Sequence, residues 1–322
     1  MSTPFRSESA WIPIEMDSGV VTRIVQTSAI EFLARRVVMG TNARAVPRSG
    51  GVGSSVTARG QAYTNDDSTD DEVTLQASKF AQGVPLTDED LSDLAGIIDV
   101  ISTRGADWAG SYAIHLDNAC LGATGTGVRE TATPFTSLYA ALTSADSVAG
   151  YTANANVTSV STLAGTAGYA SIMTAFAAYE ESRYFSADRS IVIAHPRFKR
   201  LLRNCVDNLG RPLFEDAAGE TTVTGYQDMA SSRTVPQILD TPVVFSLGSA
   251  ISTGGVPSNA PTGSPLMFIG NRDHAILGVR SGPETKQERL PGTDTVELMY
   301  RSRRGYHTGF PQAWSALVYT GS

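Results

Sequence analysis

The sequence is poor in the residues from which catalytic and metal centres are usually assembled. Among its 322 residues are 2 cysteines, Cys120 and Cys205, and 4 histidines, His115, His195, His274 and His307. The histidines are scattered without ligand spacing, and no His-Glu-x-x-His, Cys-x-x-Cys or EF-hand loop occurs, so neither metal nor cofactor is expected. Both thiols fall on the apolar side of helical patterns and read as free, buried cysteines of a reducing compartment, not as a disulfide framework. Long apolar runs are also missing: none approaches the ~18–20 residues that span a bilayer, and the start, MSTPFRSESAWIPIEMDSG, lacks a basic-then-apolar leader. No membrane partner is therefore expected. Positive charge is in deficit, with 25 Lys and Arg against 32 Asp and Glu for a net −7. That balance argues against a chain whose main task is wrapping nucleic acid. A Gly-x-Ser-x-Gly nucleophile elbow is absent. GATGTG at 122–127 lacks the Gly-Lys-Ser/Thr ending of a phosphate loop and follows a helical pattern, so it reads as a hinge. His195, before Pro196 at a strand-to-helix turn, reads as a capping or packing residue. Asp88, Glu89 and Asp90 are explained by a first helical turn, where the dipole favours acids. No enzyme is expected.

What is present is a succession of unlike blocks. Residues 1–20 lack periodicity and have few anchors of their own; such an arm is either disordered or ordered by lying on a neighbour. Val20–Met39 suits a strand or short helix, and SGGVGSS follows as a flexible connection. In VTARGQAYTNDDSTDDEVTLQASKFAQ, extended flanks enclose a polar, acidic middle from Asn65 to Glu72. Val73, Leu75 and Ala77 alternate there with Thr74, Gln76 and Ser78. This reads as two strands with a long acidic tip, and such a hairpin is marginal unless it rests on something else. A helix start at Thr87-Asp-Glu-Asp90 leads into helical spacing through Leu91, Leu94, Ile98 and Ile101. The spacing continues through Trp108, Tyr112, His115 and Ala119 and ends near LGATGTG.

A second helix carries Tyr169, Ile172, Met173 and Phe176. Ser190-Ile-Val-Ile-Ala194 is a short buried strand. It leads into HPRFKRLLRNCVDNLGRPLF, where Phe198, Leu201, Leu202 and Cys205 keep i, i+3, i+4, i+7 spacing. Arg197, Lys199, Arg200 and Arg203 lie mostly off that stripe. They present plain positive charge without the Asn or Gln side chains that read base edges, so a solvated or partner-facing surface fits better than a groove reader. PQILDTPVVF ends in a strand. The final part reads as antiparallel strands, PLMFIG, HAILGVR, TVELMYRSRRGYHTGF and WSALVYT. Strands and helices in separate blocks favour an α+β class.

The order of these features resembles the major capsid protein family of tailed bacteriophages, with the Hong Kong 97-like fold. The strand, helix and turn IVIAHPRFKRLLRNCVDNLGRPLF match the family's strand–helix and Asp-x-x-Gly-Arg-Pro-Leu turn at Asp207, Gly210, Arg211, Pro212 and Leu213, with one extra turn residue. Thr241-Pro-Val-Val-Phe245 is similar to the family's Pro-Val-Val strand. Ile269-Gly-Asn-Arg-Asp-His-Ala-Ile-Leu-Gly-Val-Arg280 looks like its turn into a strand ending in Arg. Arg301, Arg303, Arg304, Ala313 and Ala316 fill its Arg-rich and closing strands. Leu116-Asp-Asn-Ala-Cys-Leu-Gly122 resembles the end of its spine helix.

The resemblance implies an N-terminal arm and lead-in at 1–50, an extended E-loop hairpin at 51–82 and a spine helix of a peripheral (P) domain at 83–122. It further implies an axial (A) domain at 123–262, P-domain strands at 263–308 and a closing strand at 309–322. Implied partners are other copies of the chain, as pentamers and hexamers of an icosahedral shell, and packaged double-stranded DNA held by weak, nonspecific contacts. Separate scaffolding, portal and decoration proteins would join them. Localisation would be the virion, after assembly in the host bacterial cytoplasm. The expected inter-subunit contact is the acidic tip, Asp66, Asp67, Asp70, Asp71 and Glu72, against Arg280, Arg301, Arg303 and Arg304 of a neighbour. No lysine stands in the tip, and Lys79 lies at its base, so no isopeptide network of the kind some members form is expected. Met1 opens a short arm, which implies scaffolding from another protein or from none. The alternatives are an encapsulin-like nanocompartment shell or another virion structural protein such as a tail tube.

Overall fold

Two sheets of different character organise the chain. The computed structural model describes residues 28–51, 54–63, 70–87, 89, 100–124, 134–206, 209–210, 214–215, 237–253, 260–290, 292 and 294–321.

The first sheet has seven strands in the order β5-β13-β10-β6-β9-β8-β7. These are β5 (Val157–Val160), β6 (Ser190–Ala194), β7 (Phe214–Glu215), β8 (Gln237–Ile238), β9 (Thr241–Phe245), β10 (Leu266–Asn271) and β13 (Trp314–Tyr319). β6, β10 and β13 are buried at every position. Their alternation divides the interior into two cores, because successive side chains of a strand point to opposite faces. Ile191, Ile193, Leu266, Phe268, Trp314, Ala316 and Val318 enter one core. Val192, Ala194, Met267, Ile269 and Leu317 enter the other. The first core is covered by α2 (Val100–Leu121) and α3 (Leu138–Thr143), the second by α4 (Gly165–Glu180) and α5 (Arg197–Leu202). Leu239 and Asp240 both have positive φ, 47° and 62°, and make the tight turn that sends β8 back along β9.

The second sheet has four strands in the order β1-β11-β12-β4. Its centre is a long hairpin of β11 (Ala275–Leu290) and β12 (Thr295–Thr308), with 16 and 14 residues. β4 (Ser78–Thr87) lines one side of the hairpin, and β1 (Arg35–Val38) lies parallel to β11 on the other. Register shifts around Ser281 interrupt the ladder. Before them β11 is core; beyond them, Gly282, Pro283 and Thr285–Arg289 are exposed. A separate ribbon pairs β2 (Ala43–Ser49) with β3 (Asp70–Gln76). The short helix α1 (Ala29–Leu33) leads into β1.

Val20–Met39 resolves from Ser28 onward into α1 and β1. The ribbon's first strand lies earlier than the sequence suggested: residues 54–63 carry no strand, and β2 precedes the glycine-rich connection. Asp70, Asp71 and Glu72 sit inside β3 instead of in a turn. Val73, Leu75 and Ala77 are buried as their alternation predicted. Leu75 and Ala77 pack with Met39 and Ile276, so the inner half of the ribbon rests on its own chain. Thr87 ends β4 instead of capping a helix. The residues expected to begin that helix (Asp88, Asp90, Leu91, Leu94 and Ile98) lie outside the described residues, while Val100–Leu121 is helical. On α4, Ile172 and Phe176 are buried, but Met173 is 37% exposed and Ala175 and Tyr179 complete the inner face. α5 buries Phe198, Leu201 and Leu202, and Cys205 follows into the same core, as the spacing required.

Candidate assembly surface and its anchors

Alternating Arg44, Val46 and Arg48 put Arg48 on the side of β2 that faces the body. Its guanidinium donates to both carboxylate oxygens of Asp71 across the ribbon, at 2.7 and 2.5 Å. It also donates to Asp146 at 2.8 Å and to the Gly309 carbonyl at 3.0 Å. The same group lies 5.0 Å from the centre of the Phe310 ring. A planar fork with five N–H donors can make all these contacts at once, which a lysine could not. The hydrogen bond from Arg48 holds Asp71 below its usual range. For Asp146, burial pushes upward, but hydrogen bonds from Arg48 and from the Ala149 and Val148 amides outweigh it and the net shift is down. One cation thus fixes the outer end of the ribbon to the body.

Beyond that clamp the chain runs into solvent. Among residues 54–63 all but Thr57 are exposed, and Val56 and Tyr63 are 103% and 88% accessible. Single exposed apolar side chains are ordinary. Two on one strandless loop, at the end of a ribbon braced by a buried arginine, are what an interaction segment looks like before its partner arrives.

A second junction lies where α2 ends. Asp117 is fully buried and accepts hydrogen bonds from Ser28 Oγ (2.6 Å), Ala29 N (2.9 Å), Ile30 N (3.1 Å) and Ser246 Oγ (2.5 Å). Its carboxylate thereby satisfies the free amides at the start of α1. Burial raises its pKa, against the pull of the Ser246 and Ser28 hydroxyls and the two amides. The next residue, Asn118, donates to the Gly248 and Ala250 carbonyls at 2.9 and 2.8 Å and accepts from Ser252 Oγ at 2.6 Å. The backbones approach so closely that a Cβ at Gly248 would lie 2.6 Å from Asp117 Cβ, and one at Gly122 would lie 2.1 Å from the Ala250 carbonyl oxygen. α1 is held again through Glu31, which accepts from Tyr112 OH (3.0 Å) and Arg304 Nε (2.8 Å).

The residues singled out by sequence fall in different places. Asp66 and Asp67 lie outside the described residues. Asp70 and Glu72 are exposed on β3, whereas Asp71 is committed to Arg48. Of the arginines expected to receive the acidic segment, Arg301 pairs with Glu284 at 2.8 Å. Arg304 pairs with Glu31 at 2.7 Å, with only 6% of its side chain exposed. Both therefore serve the internal order of their own chain. Arg303 remains half-exposed, and Arg280 is half-buried in the bulged part of β11, with Nη1 shielded. On α5, Lys199, Arg200 and Arg203 are exposed as expected. Arg197 instead stacks 5.2 Å from the centre of the Tyr319 ring and donates to the Gly321 carbonyl. Sequence reasoning missed Arg48, Asp146 and the role of Asp117. The alternation about Val46 was the available signal for Arg48, and Pro47 obscured it.

Among the described residues no group of three or more His, Cys, Asp or Glu side chains could hold a metal ion, and no helix is long and apolar enough to cross a membrane. Residues 9–246 match the model of a family described as the phage capsid family. No curated protein matches the chain. Among solved structures, the capsid of a native GTA particle computed with C5 symmetry superposes with a TM-score of 0.69 at 14% identity, covering 100% of both chains. A structure of Gordonia phage Cozz gives 0.68 at 16% identity, covering 98% of this chain and 93% of that one. One of Mycobacterium phage Ogopogo gives 0.68 at 13% identity, covering 99% and 100%. At such identities these likenesses establish the fold.

Proposed function

This chain belongs to the phage capsid family and has the Hong Kong 97-like fold of tailed-bacteriophage major capsid proteins, and from that premise we propose that pentamers and hexamers of it close into an icosahedral shell around double-stranded DNA. In this reading the ribbon β2–β3 with its loop is the E-loop. α2 is the spine helix of the P domain, the long hairpin β11–β12 is that domain's sheet, and the seven-stranded sheet with α4 and α5 is the A domain. The chain does no catalytic chemistry. Its work is association, in which contacts of modest strength repeated over many copies add up to a closed container.

The observation that carries this reading is the loop at 54–63, exposed with Val56 and Tyr63 in solvent while its base is clamped by Arg48. Apolar burial on a neighbour supplies affinity. The acids Asp66, Asp67, Asp70 and Glu72 choose register against cations such as Arg303 and Arg280, since exposed pairs are worth only about 0–1 kcal/mol each. A net charge of −7 suits a wall that must not grip packed DNA. Lys199, Arg200 and Arg203 are exposed A-domain cations that face that DNA weakly.

Negative-stain microscopy of the purified protein tests this. Closed polyhedral shells or five- and six-membered rings are expected from the native chain. The triple variant Asp66→Lys, Asp67→Lys, Glu72→Lys should keep its circular dichroism and lose closed shells. Asp71 is left untouched because it anchors Arg48. Normal shells from the variant would refute the acidic contact, and only monomers or tubes from the native chain would refute the shell.

A further inference from the structure

A cleft of about 300 Å³ separates part of the body-facing side of the ribbon β2–β3 from the body. Strand alternation builds the ribbon's wall. Val46 and Val73 are cross-strand partners and share the side that carries Arg48 and Asp71. Val73 is buried and Val46 half-buried. The body's wall is Ile276, buried at the start of β11, with Phe310 and His274 beside it. The aromatic part is fixed by its own contacts. Phe310 stacks on Tyr184 with ring centres 4.8 Å apart, and His274 meets both rings edge-on, at 5.8 and 5.2 Å. Asn271 donates to the Tyr184 carbonyl at 3.1 Å, and the Gly309 amide donates to the His274 carbonyl at 2.7 Å. A Cβ at residue 309 would lie 3.2 Å from His274 Nδ1, so glycine leaves the imidazole its place at the cleft.

The polar groups around this floor differ in what they have left to offer. Arg48 is already satisfied by Asp71, Asp146 and the Gly309 carbonyl. Asp273 lies 3.7 Å from Arg189. Arg35 is exposed beside Ile276, and its guanidinium makes no hydrogen bond or ion pair among the described residues. The His274 ring likewise has no hydrogen-bond partner there. Burial holds it below its ordinary range, so at neutral pH it is uncharged and offers a single N–H. An unpaired guanidinium and an imidazole N–H thus stand over an apolar and aromatic floor. Small-molecule pockets have this make-up, an apolar lining with a few polar groups that fix orientation. The volume is at the lower end of such pockets, with room for a small aromatic body and too little for a peptide strand.

We propose that the cleft between ribbon and body binds a small aromatic carboxylate, its ring between Val46, Val73 and Phe310 and its carboxylate on Arg35 and the His274 ring. A guanidinium can hold both oxygens of a carboxylate in parallel N–H···O bonds, which an ammonium cannot. The consequence follows from who supplies the walls. One belongs to the ribbon and the other to the body, so an occupant joins them in the orientation that Arg48 already fixes. Phe310 serves both devices, as the ring beneath the Arg48 guanidinium and as a wall of the cleft. A ligand that binds one orientation of the ribbon stabilises that orientation by mass action. The site belongs to the single chain and does not rest on the shell reading.

Calorimetric titration of the full chain with cinnamate tests this, with cinnamyl alcohol as the same ring system without the charge. Saturable binding of cinnamate is expected, about tenfold tighter than that of the alcohol, the weight of one charge-assisted hydrogen bond. Arg35→Gln should bring cinnamate down to the affinity of the alcohol and leave the alcohol unchanged. Val46→Phe, which fills the cleft from the ribbon side, should abolish binding of both. Amide exchange of the native chain gives a readout that needs no variant: cinnamate should slow 43–49 and 70–76 and leave β6, β10 and β13 as they were. Absence of saturable binding at millimolar cinnamate would overturn the proposal. Binding that survives Val46→Phe, or protection that appears only outside the ribbon, puts the ligand elsewhere and overturns the site. Equal affinity of the native chain for acid and alcohol overturns the carboxylate assignment. Each outcome is read on the chain whether or not shells form, so failure here and failure of the shell reading are separate results.

Discussion

The seven-stranded sheet and the four-stranded sheet make an instructive pair. In the first, the central strands are buried on both faces, and each alternate residue finds a helix of its own chain. In the second, the inner part of β11–β12 is core, but the outer part and the loop beyond the ribbon face solvent. One region is buried within a single chain, and the other is braced at its root and exposed at its end. The braces are polar: Arg48 at the ribbon, and Asp117 with Glu31–Arg304 at α1. Apolar packing builds the body. Directional hydrogen bonds aim the parts that reach beyond it.

The largest effect on folding is therefore expected in the body. Phe268→Ala, at a fully buried position of β10, should cost about 4 kcal/mol and leave little soluble protein. Asp117→Ala comes next. It strands two buried serine hydroxyls and two amides and should cost about 3 kcal/mol by denaturant titration. Asp117→Asn, which keeps an acceptor oxygen, should recover part of that. Equal losses for the two variants would show that packing, not acceptance of hydrogen bonds, is what Asp117 supplies.

Arg48→Ala should cost about 1–2 kcal/mol and act locally, speeding proteolysis within 43–76 while the unfolding of the body is nearly unchanged. Acid should reproduce this effect. Asp71 and Asp146 titrate below their ordinary value, so their contribution is complete above about pH 4 and is lost as pH falls through their lower folded values. Asp117 is shifted the other way, so its share is complete below the ordinary carboxylate value and shrinks as pH rises through its raised one. Acidification should thus loosen the ribbon before the α1 junction. Amide protection, referenced to intrinsic exchange rates, reads the order, and the reverse order would break the comparison between the two braces.

How much of this was legible in the sequence follows from the same contrast. β6, β10 and β13 declare themselves because a strand buried on both faces is a continuous apolar run bounded by turn residues. The stripe Phe198, Leu201, Leu202, Cys205 fixed the face of α5 before any coordinates. The ribbon was half legible. Val73, Leu75 and Ala77 alternate, but β2 contains Pro47 and mostly exposed residues, and its register depends on Arg48 reaching Asp146 and Gly309, partners 98 and 261 residues away. The acidic residues read as a tip because charge alone does not distinguish a turn from an exposed strand. The pairings of Arg301 with Glu284 and of Arg304 with Glu31 were not legible, because the partners lie 17 and 273 residues away in sequence.

Hydrogen–deuterium exchange on assembled and unassembled protein at one pH tests the central claim most directly. Peptides covering 54–63 and the outer hairpin at 282–290 should become protected on assembly, with β6, β10 and β13 equally slow in both forms. Uniform protection across the chain, or protection confined to the body strands, would contradict the view that these solvent-facing pieces are completed by other copies.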